Sequence, residues 1–247
     1  MGDFFKLQEN GTSVGRELMA GATTFTAMAY ILVVNPQIMA SAGIDQDASF
    51  VATCLAAAIS CILMGLYANW PVGLAPGMGL NALFAYTIVG DLGYPWQTAL
   101  GAVFISGVFF VIISVTRIRA WIIMSIPNDL KIGMTAGVGL FIGIIGLQNG
   151  GIITDHPVTL VTMGDFSDIP TALAGVSFLL VAVLSARLAA GGLILGILAV
   201  TVIGVLLGEV EYRGIMSAPP SIAPLIGQID IAAALDVSLV SVIFSIL

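Results

Sequence analysis

The stretch Trp70–Gly90, WPVGLAPGMGLNALFAYTIVG, decides how the rest of the chain is read. It is apolar enough to sit inside a bilayer, yet it holds Pro71 and Pro76 together with Gly73, Gly77, Gly79 and Gly90. Proline has no amide hydrogen and clashes with the preceding turn. That predicts extended chain over 71–76 and helix only from about Gly77 onward. The extended part covers about 20 Å at ~3.3 Å per residue, and the helical remainder covers about another 20 Å at ~1.5 Å per residue. Together they can cross a hydrocarbon core about 30 Å thick, with the break near mid-depth. Backbone groups left open at that depth are tolerated only where protein or a wet cavity receives them. A helix that begins inside a membrane is therefore a device for building a binding site, and the remaining residues are read as holding this break.

Composition agrees. Of 247 residues, 59% are hydrophobic and only 9% charged, with a mean hydropathy of +1.10. Soluble domains carry about 25% charged residues, so the chain is expected to be an integral membrane protein with the lipid bilayer as its solvent. The net charge of −7 comes largely from loop carboxylates, and seven Lys and Arg spread over the chain make no basic face for nucleic acid. Cys54 and Cys61 lie seven apart on one expected helix, about 10 Å in rise, too far for a disulfide. One histidine and two distant cysteines assemble no metal site of ordinary ligand count, and no cofactor is expected. With no nucleophile–base pair, an enzyme reading has no support. The N-terminus, MGDFFKLQEN, shows no signal peptide, and Lys6 stands where a myristoylation motif needs Ser or Thr.

Charges mark the spans. Leu18–Ile44 is uncharged and gives span one. Ala48–Gly90 is uncharged for 43 residues, too long for one crossing, so it must fold back near Asn69–Pro71 into span two (49–69) and the broken span three (71–90). Span four covers 95–116, span five 130–149, span six 169–187 and span seven 190–208. The short segment 117–127 is expected along the inner interface, and the apolar run from Ile231 to Leu247 reads as the opening of an eighth span. With the N-terminus in the cytoplasm, six of the seven basic residues fall inside and only Arg213 outside, as the positive-inside rule requires. Gly133–Gly137, Gly139–Gly143 and Gly192–Gly196 have the spacing of helix-packing surfaces.

Asn81 is the polar side chain nearest the break, in the first turn of the half-helix. A helix start offers unpaired amides and partial positive charge, and a carboxamide adds a donor and an acceptor. This set suits a small planar ligand with mixed edges better than a bare ion. The plainer alternative is that Asn81 only ties down loose backbone. In span one, Thr23, Thr24, Thr26 and Tyr30 form a polar cluster whose hydroxyls are expected to bond their own or a neighbouring helix, and Phe25, Met28 and Ala29 either line a flat pocket or pack. His156, beside Pro157, reads as a solvated loop residue. No ionisable side chain other than cysteine or tyrosine lies well inside any complete span, so a proton-coupling acid is not found among these residues.

Four strings carry a specific resemblance: TTFTAMAYILVVNPQIMASAGID (23–45), NWPVGLAPGMGLNALFAY (69–86), WQTALGAVFISG (96–107) and IPNDLKIGMTAGVGLFIGIIGLQNGGII (126–153). They resemble azaguanine-type purine permeases, the hypoxanthine/guanine/adenine carriers related to xanthine/uracil nucleobase–cation symporters. The resemblance covers almost the whole chain. It implies an all-α polytopic fold, the first half of a seven-plus-seven inverted-repeat transporter, with a short strand and half-helix in span three. It implies a cytoplasmic N-terminus (1–17), a core-domain half (18–116), a gate-domain half (117–230) and the start of a truncated span eight (231–247). It further implies a purine nucleobase contacted by Gly79, Leu80 and Asn81, with a wall from Phe25, Met28 and Ala29. The expected activity is proton symport across the inner (plasma) membrane by an elevator-type movement, with the coupling acids beyond Leu247. Monomer and homodimer both stay open. The alternatives are an inorganic anion or dicarboxylate carrier of the same fold, or a non-transporting truncated membrane fragment.

Overall fold

The computed structural model describes residues 5–116, 121, 124–210, 214 and 218–235. Among these residues, five helical stretches are long and apolar enough to cross a membrane: Val14–Ser41, Gln46–Ala68, Trp96–Val115, Asn128–Asn149 and Ile169–Leu188. They coincide with expected spans one, two, four, five and six, and make the protein a polytopic membrane protein. The residues expected as span seven hold a shorter apolar helix, Leu195–Leu206. Part of the interfacial segment 117–127, Arg213 and residues 236–247 of the expected eighth span lie outside the described residues.

Span one consists of two helices. Helix α1 (Val14–Met28) starts at Ser13, whose hydroxyl accepts from the Arg16 amide at 3.4 Å, with Glu17 in the first turn facing the positive end of the helix dipole. After a turn at Ala29–Tyr30 the chain resumes as α2 (Ile31–Ser41), which carries the buried Pro36. Pro36 has no amide to give the Leu32 carbonyl, so α2 lacks one internal hydrogen bond. Helix α3 (Gln46–Leu63) begins where the Asp45 carboxylate accepts the Ala48 amide at 2.8 Å. It widens into a π-helical turn, Met64–Ala68, and is stopped by Asn69 at φ +53°, a left-handed conformation that asparagine tolerates better than most residues.

No helix forms over Asn69–Gly77, and winding resumes at Met78. Helix α4 (Met78–Ala82) passes directly into a π-helical segment, Leu83–Asp91. The expected strand at 71–76 is not part of a ladder among the described residues, because the one sheet is a hairpin elsewhere. Helices α5 (Trp96–Val115), α6 (Asn128–Asn149) and α7 (Ile169–Leu206) follow, with strands β1 (Ile153–His156) and β2 (Leu160–Met163) between α6 and α7 and a short α8 (Ile231–Ala234) after them. Sequence alone reads this hairpin segment as plain loop. His156 is what closes it: its Nδ1 accepts the amides of Val158 at 3.3 Å and Thr159 at 3.2 Å across the turn.

The chain divides into two compact units. One comprises residues 1–30, 56–75 and 142–218, the other 31–55, 76–141 and 219–247. In the first, α1 packs against α7. The α7 run is helical over 38 residues, which would be about 57 Å if straight, yet it doubles back on itself. A Cβ on Gly192 would collide with the Leu184 carbonyl, one on Gly196 would lie 3.2 Å from the Val181 Cα, and one on Gly204 would lie 3.5 Å from a Leu173 methyl. The small residues at 192 and 196 thus do the packing expected of them. Among the described residues, nothing stands within 4 Å of where Cβ atoms at 133, 137, 139 and 143 would be.

In the second unit, Ile38, Ala42 and Ile44 meet Phe84, Ala85 and Ile88 of the π segment and Ala99, Ala102 and Ala234 of α5 and α8 in one buried cluster. Alanine and glycine dominate where backbones come closest. A Cβ on Gly101 would lie 2.8 Å from the Ala234 Cβ, and the Asp230 amide donates to the Gln97 carbonyl at 3.2 Å.

Candidate functional site

The non-helical stretch needs hydrogen-bond partners, and the first unit supplies them from neighbouring helices. The Gly73 amide donates to the Thr24 hydroxyl at 3.2 Å, and that hydroxyl donates to the Gly21 carbonyl at 3.0 Å. The Leu74 amide donates to Cys61 Sγ at 3.2 Å, and the thiol faces the Leu74 carbonyl at 3.4 Å. Asn69 donates its side-chain amide to the Phe5 carbonyl at 2.9 Å. One threonine of the span-one cluster and one cysteine therefore receive the non-helical backbone. Met28 lies over Gly73, where a Cβ would come 2.6 Å from the thioether sulfur. Phe25 is 53% exposed and Ala29 caps the end of α1.

Helix α4 starts in the second unit without a side-chain cap. Gly77 takes the N-cap place with φ −79° and ψ 112°, and the first intrahelical bond runs from the Asn81 amide to the Gly77 carbonyl at 3.2 Å. The amides of Met78, Gly79 and Leu80 precede that bond and have no helical partner. Gly77, Gly79, Leu80, Leu83 and Thr87 line one side of an open cavity of about 660 Å³, and Gly137, Val138 and Phe141 of α6 line the other. The size falls in the range of small-molecule sites, about 300–1,000 Å³. A Cβ on Gly79 would stand 3.5 Å from a Val138 methyl, so glycine here keeps the cavity wall set back. None of the eight lining residues is charged, and Leu80, Val138 and Phe141 present apolar surface. A second cavity, of about 300 Å³, lies in the first unit between Phe5, Val14, Leu18 and Trp70, with Glu17 at its wall.

Asn81 does not line the cavity at the α4 start, and its side chain is engaged with α2 instead. Its side-chain amide donates to the Asn35 carbonyl oxygen, Asn35 Nδ2 donates to the Thr53 hydroxyl at 2.8 Å, and Thr53 donates to the Ser49 carbonyl at 2.7 Å. Asn35, Thr53 and Ser49 are buried. This chain joins α2, α3 and α4 through polar groups in otherwise apolar surroundings, where each group must find a partner.

Of the six residues singled out in the sequence, Gly79, Leu80 and Asn81 come together in the second unit, while Phe25, Met28 and Ala29 belong to the first. Sequence reasoning missed Thr87, Gly137, Val138 and Phe141 as cavity lining, and Asn35 and Thr53 as partners of Asn81. Asn35 and Thr53 did carry a signal, since each is polar within an uncharged, apolar span. The α6 residues carried none: a valine and a phenylalanine in a membrane helix are unremarkable until the facing helix is known.

The profile of the Permease family matches residues 15–247. Adenine permease AdeP of Escherichia coli (strain K12) is 45% identical over 241 residues, covering 98% of this chain and 54% of AdeP. Putative permease MJ0326 of Methanocaldococcus jannaschii is 47% identical over 243 residues, covering 98% of this chain and 56% of that relative. Guanine/hypoxanthine permease PbuG of Bacillus subtilis (strain 168) is 43% identical over 238 residues, covering 92% of this chain and 54% of PbuG. The chain spans about half the length of these curated relatives. With a profile match running from the first turn of α1 to Leu247, the chain belongs to the Permease family of xanthine/uracil type.

Proposed function

We propose that these residues form the first half of a purine nucleobase permease, and that the cavity between the α4 start and α6 receives the base. The observation that carries this reading is the coincidence of three features: a helix beginning after nine non-helical residues (Asn69–Gly77), amides at Gly79 and Leu80 that precede the first intrahelical bond, and an uncharged cavity of about 660 Å³. A purine is a flat apolar slab with a polar rim. Leu80, Leu83, Val138 and Phe141 suit its faces and the amides suit its rim, to which we also assign Asn81, the residue after Leu80. None of the residues lining the cavity is basic, and its largely apolar wall suits a flat heterocycle better than an inorganic anion or dicarboxylate. The relatives' names, adenine and guanine/hypoxanthine permeases, support the same substrate class.

In the same reading the N-terminus is cytoplasmic, residues 18–116 move as a core half against the gate half 117–230 in an elevator-type cycle, and a proton is the coupling ion. Its acidic carriers are supplied outside residues 1–247. The test is uptake of radiolabelled adenine, guanine and hypoxanthine by cells that lack their own purine permeases and express the full-length permease containing these residues. Asn81→Ala and Asn81→Asp should each lower uptake while membrane insertion is unchanged. Wild-type uptake in both variants would remove Asn81 from the site. Cells expressing residues 1–247 alone separate a complete carrier from a half that needs its partner.

A further inference from the structure

We infer that Asn35 and Thr53 are positioning residues that fix which way the Asn81 carboxamide points, and hence that the ligand meets Asn81 with an N–H-bearing edge. The inference rests on Asn81 being a ligand contact, as proposed above.

The argument follows the direction of each hydrogen bond from its anchor. The Ser49 carbonyl can only accept, so Thr53, 2.7 Å away, must spend its one hydroxyl hydrogen there. The Thr53 oxygen is left to accept, so Asn35, at 2.8 Å, must turn its NH₂ toward Thr53. Its carbonyl prong then faces Asn81. Asn81 can satisfy a carbonyl only with its own NH₂. Because the amide is planar, Asn81 Oδ1 lies on the opposite prong, an acceptor looking for a donor. If Asn81 turned over, two carbonyl oxygens would oppose each other in a part-buried place. If Asn35 turned over instead, its oxygen would oppose a hydroxyl oxygen with no hydrogen to share. The sense of one carboxamide is thus set three links away, by a main-chain carbonyl on α3. A ring N–H or an exocyclic amino group satisfies Oδ1, whereas a bare ring nitrogen or a carbonyl oxygen does not.

The test uses the full-length permease in cells without endogenous purine uptake, with initial rates measured over a concentration series and corrected for inserted protein. Thr53→Val removes the anchor while keeping the shape. The expected result is a rise of about tenfold in KM for hypoxanthine with less than about a twofold change in maximal rate, the size of one misdirected hydrogen bond. Thr53→Ser keeps the hydroxyl and should restore KM to within about twofold. In an Asn81→Ala background, Thr53→Val should change KM by less than about twofold, because no amide is left to position.

A second readout is independent of expression. It is the ratio of inhibition constants for hypoxanthine and its N1-, N7- and N9-methyl derivatives. At least one ratio should fall toward unity in Thr53→Val. If Thr53→Val fails to insert, Thr53→Cys gives the same reading, since the thiol is a weak acceptor. Failure of serine to rescue, an undiminished effect of Thr53→Val in the Asn81→Ala background, or three unchanged methyl ratios would each overturn the inference. A wild-type KM in Asn81→Ala alone would instead overturn the site assignment beneath it.

Discussion

Two threonines on α1, two residues apart, give a sharp test of what holds the broken stretch. Thr24 accepts the Gly73 amide at 3.2 Å, whereas Thr26 bonds only the Ala22 carbonyl of its own helix, at 2.6 Å. Valine at 24 leaves the Gly73 N–H without its acceptor in a part-buried position, an orphaned donor costing about 1–3 kcal/mol. Valine at 26 removes a hydroxyl whose loss strands nothing, because the Ala22 carbonyl keeps its place in the helical ladder; the expected change is within about 0.5 kcal/mol. The assay is hydrogen exchange of the purified protein in detergent, followed by mass spectrometry on a peptide covering Trp70–Gly77. If exchange goes through local opening, 1–3 kcal/mol corresponds to an acceleration of about five- to 150-fold for Thr24→Val, with protection unchanged in Thr26→Val. Equal protection of that peptide in both variants would refute the claim that Thr24 receives the break.

Two further outcomes follow from glycines. Gly79→Ala places a methyl 3.5 Å from Val138, an ordinary contact, so the thermal midpoint in detergent should stay within about 1 °C while purine KM rises several-fold because the wall has advanced into the cavity. Gly101→Ala places a methyl 2.8 Å from the Ala234 Cβ and should destabilise the packing of α8 on α5 by about 1–3 kcal/mol, read as faster limited proteolysis after Leu225.

How much could be read from sequence depends on how far apart the interacting residues are. The spans were legible because charges bound them: the uncharged run between Glu17, in the first turn of α1, and Asp45 holds the rest of α1 and all of α2, and Asp91 and Arg117 bracket α5. The loss of helix over Asn69–Gly77 was legible from Pro71 and Pro76, whose effect is local. The interruption at Ala29–Tyr30 was not, since no glycine or proline marks it and Pro36 sits inside the next helix instead. Nor was the π winding of Leu83–Asp91, which no local composition signals. The hairpin around His156 was hidden by Pro157 and by the aspartates that made the segment look like a polar loop. At the candidate site, Gly79 and Asn81 stood out through position relative to the break. Their neighbours did not, because Asn35 is 46 residues from Asn81 and Val138 is on a helix with no polar residue beside it to draw attention. The glycine spacings show the same limit, since spacing says where close approach is permitted and only the fold says whether anything approaches.

The tight reversal in Ile169–Leu206 also bears on how the protein is made. With helix on both sides and almost no linker, the two arms are expected to enter lipid as one helical hairpin rather than as two independent spans. Arg187, the sole charge in that run, sits beside the bend.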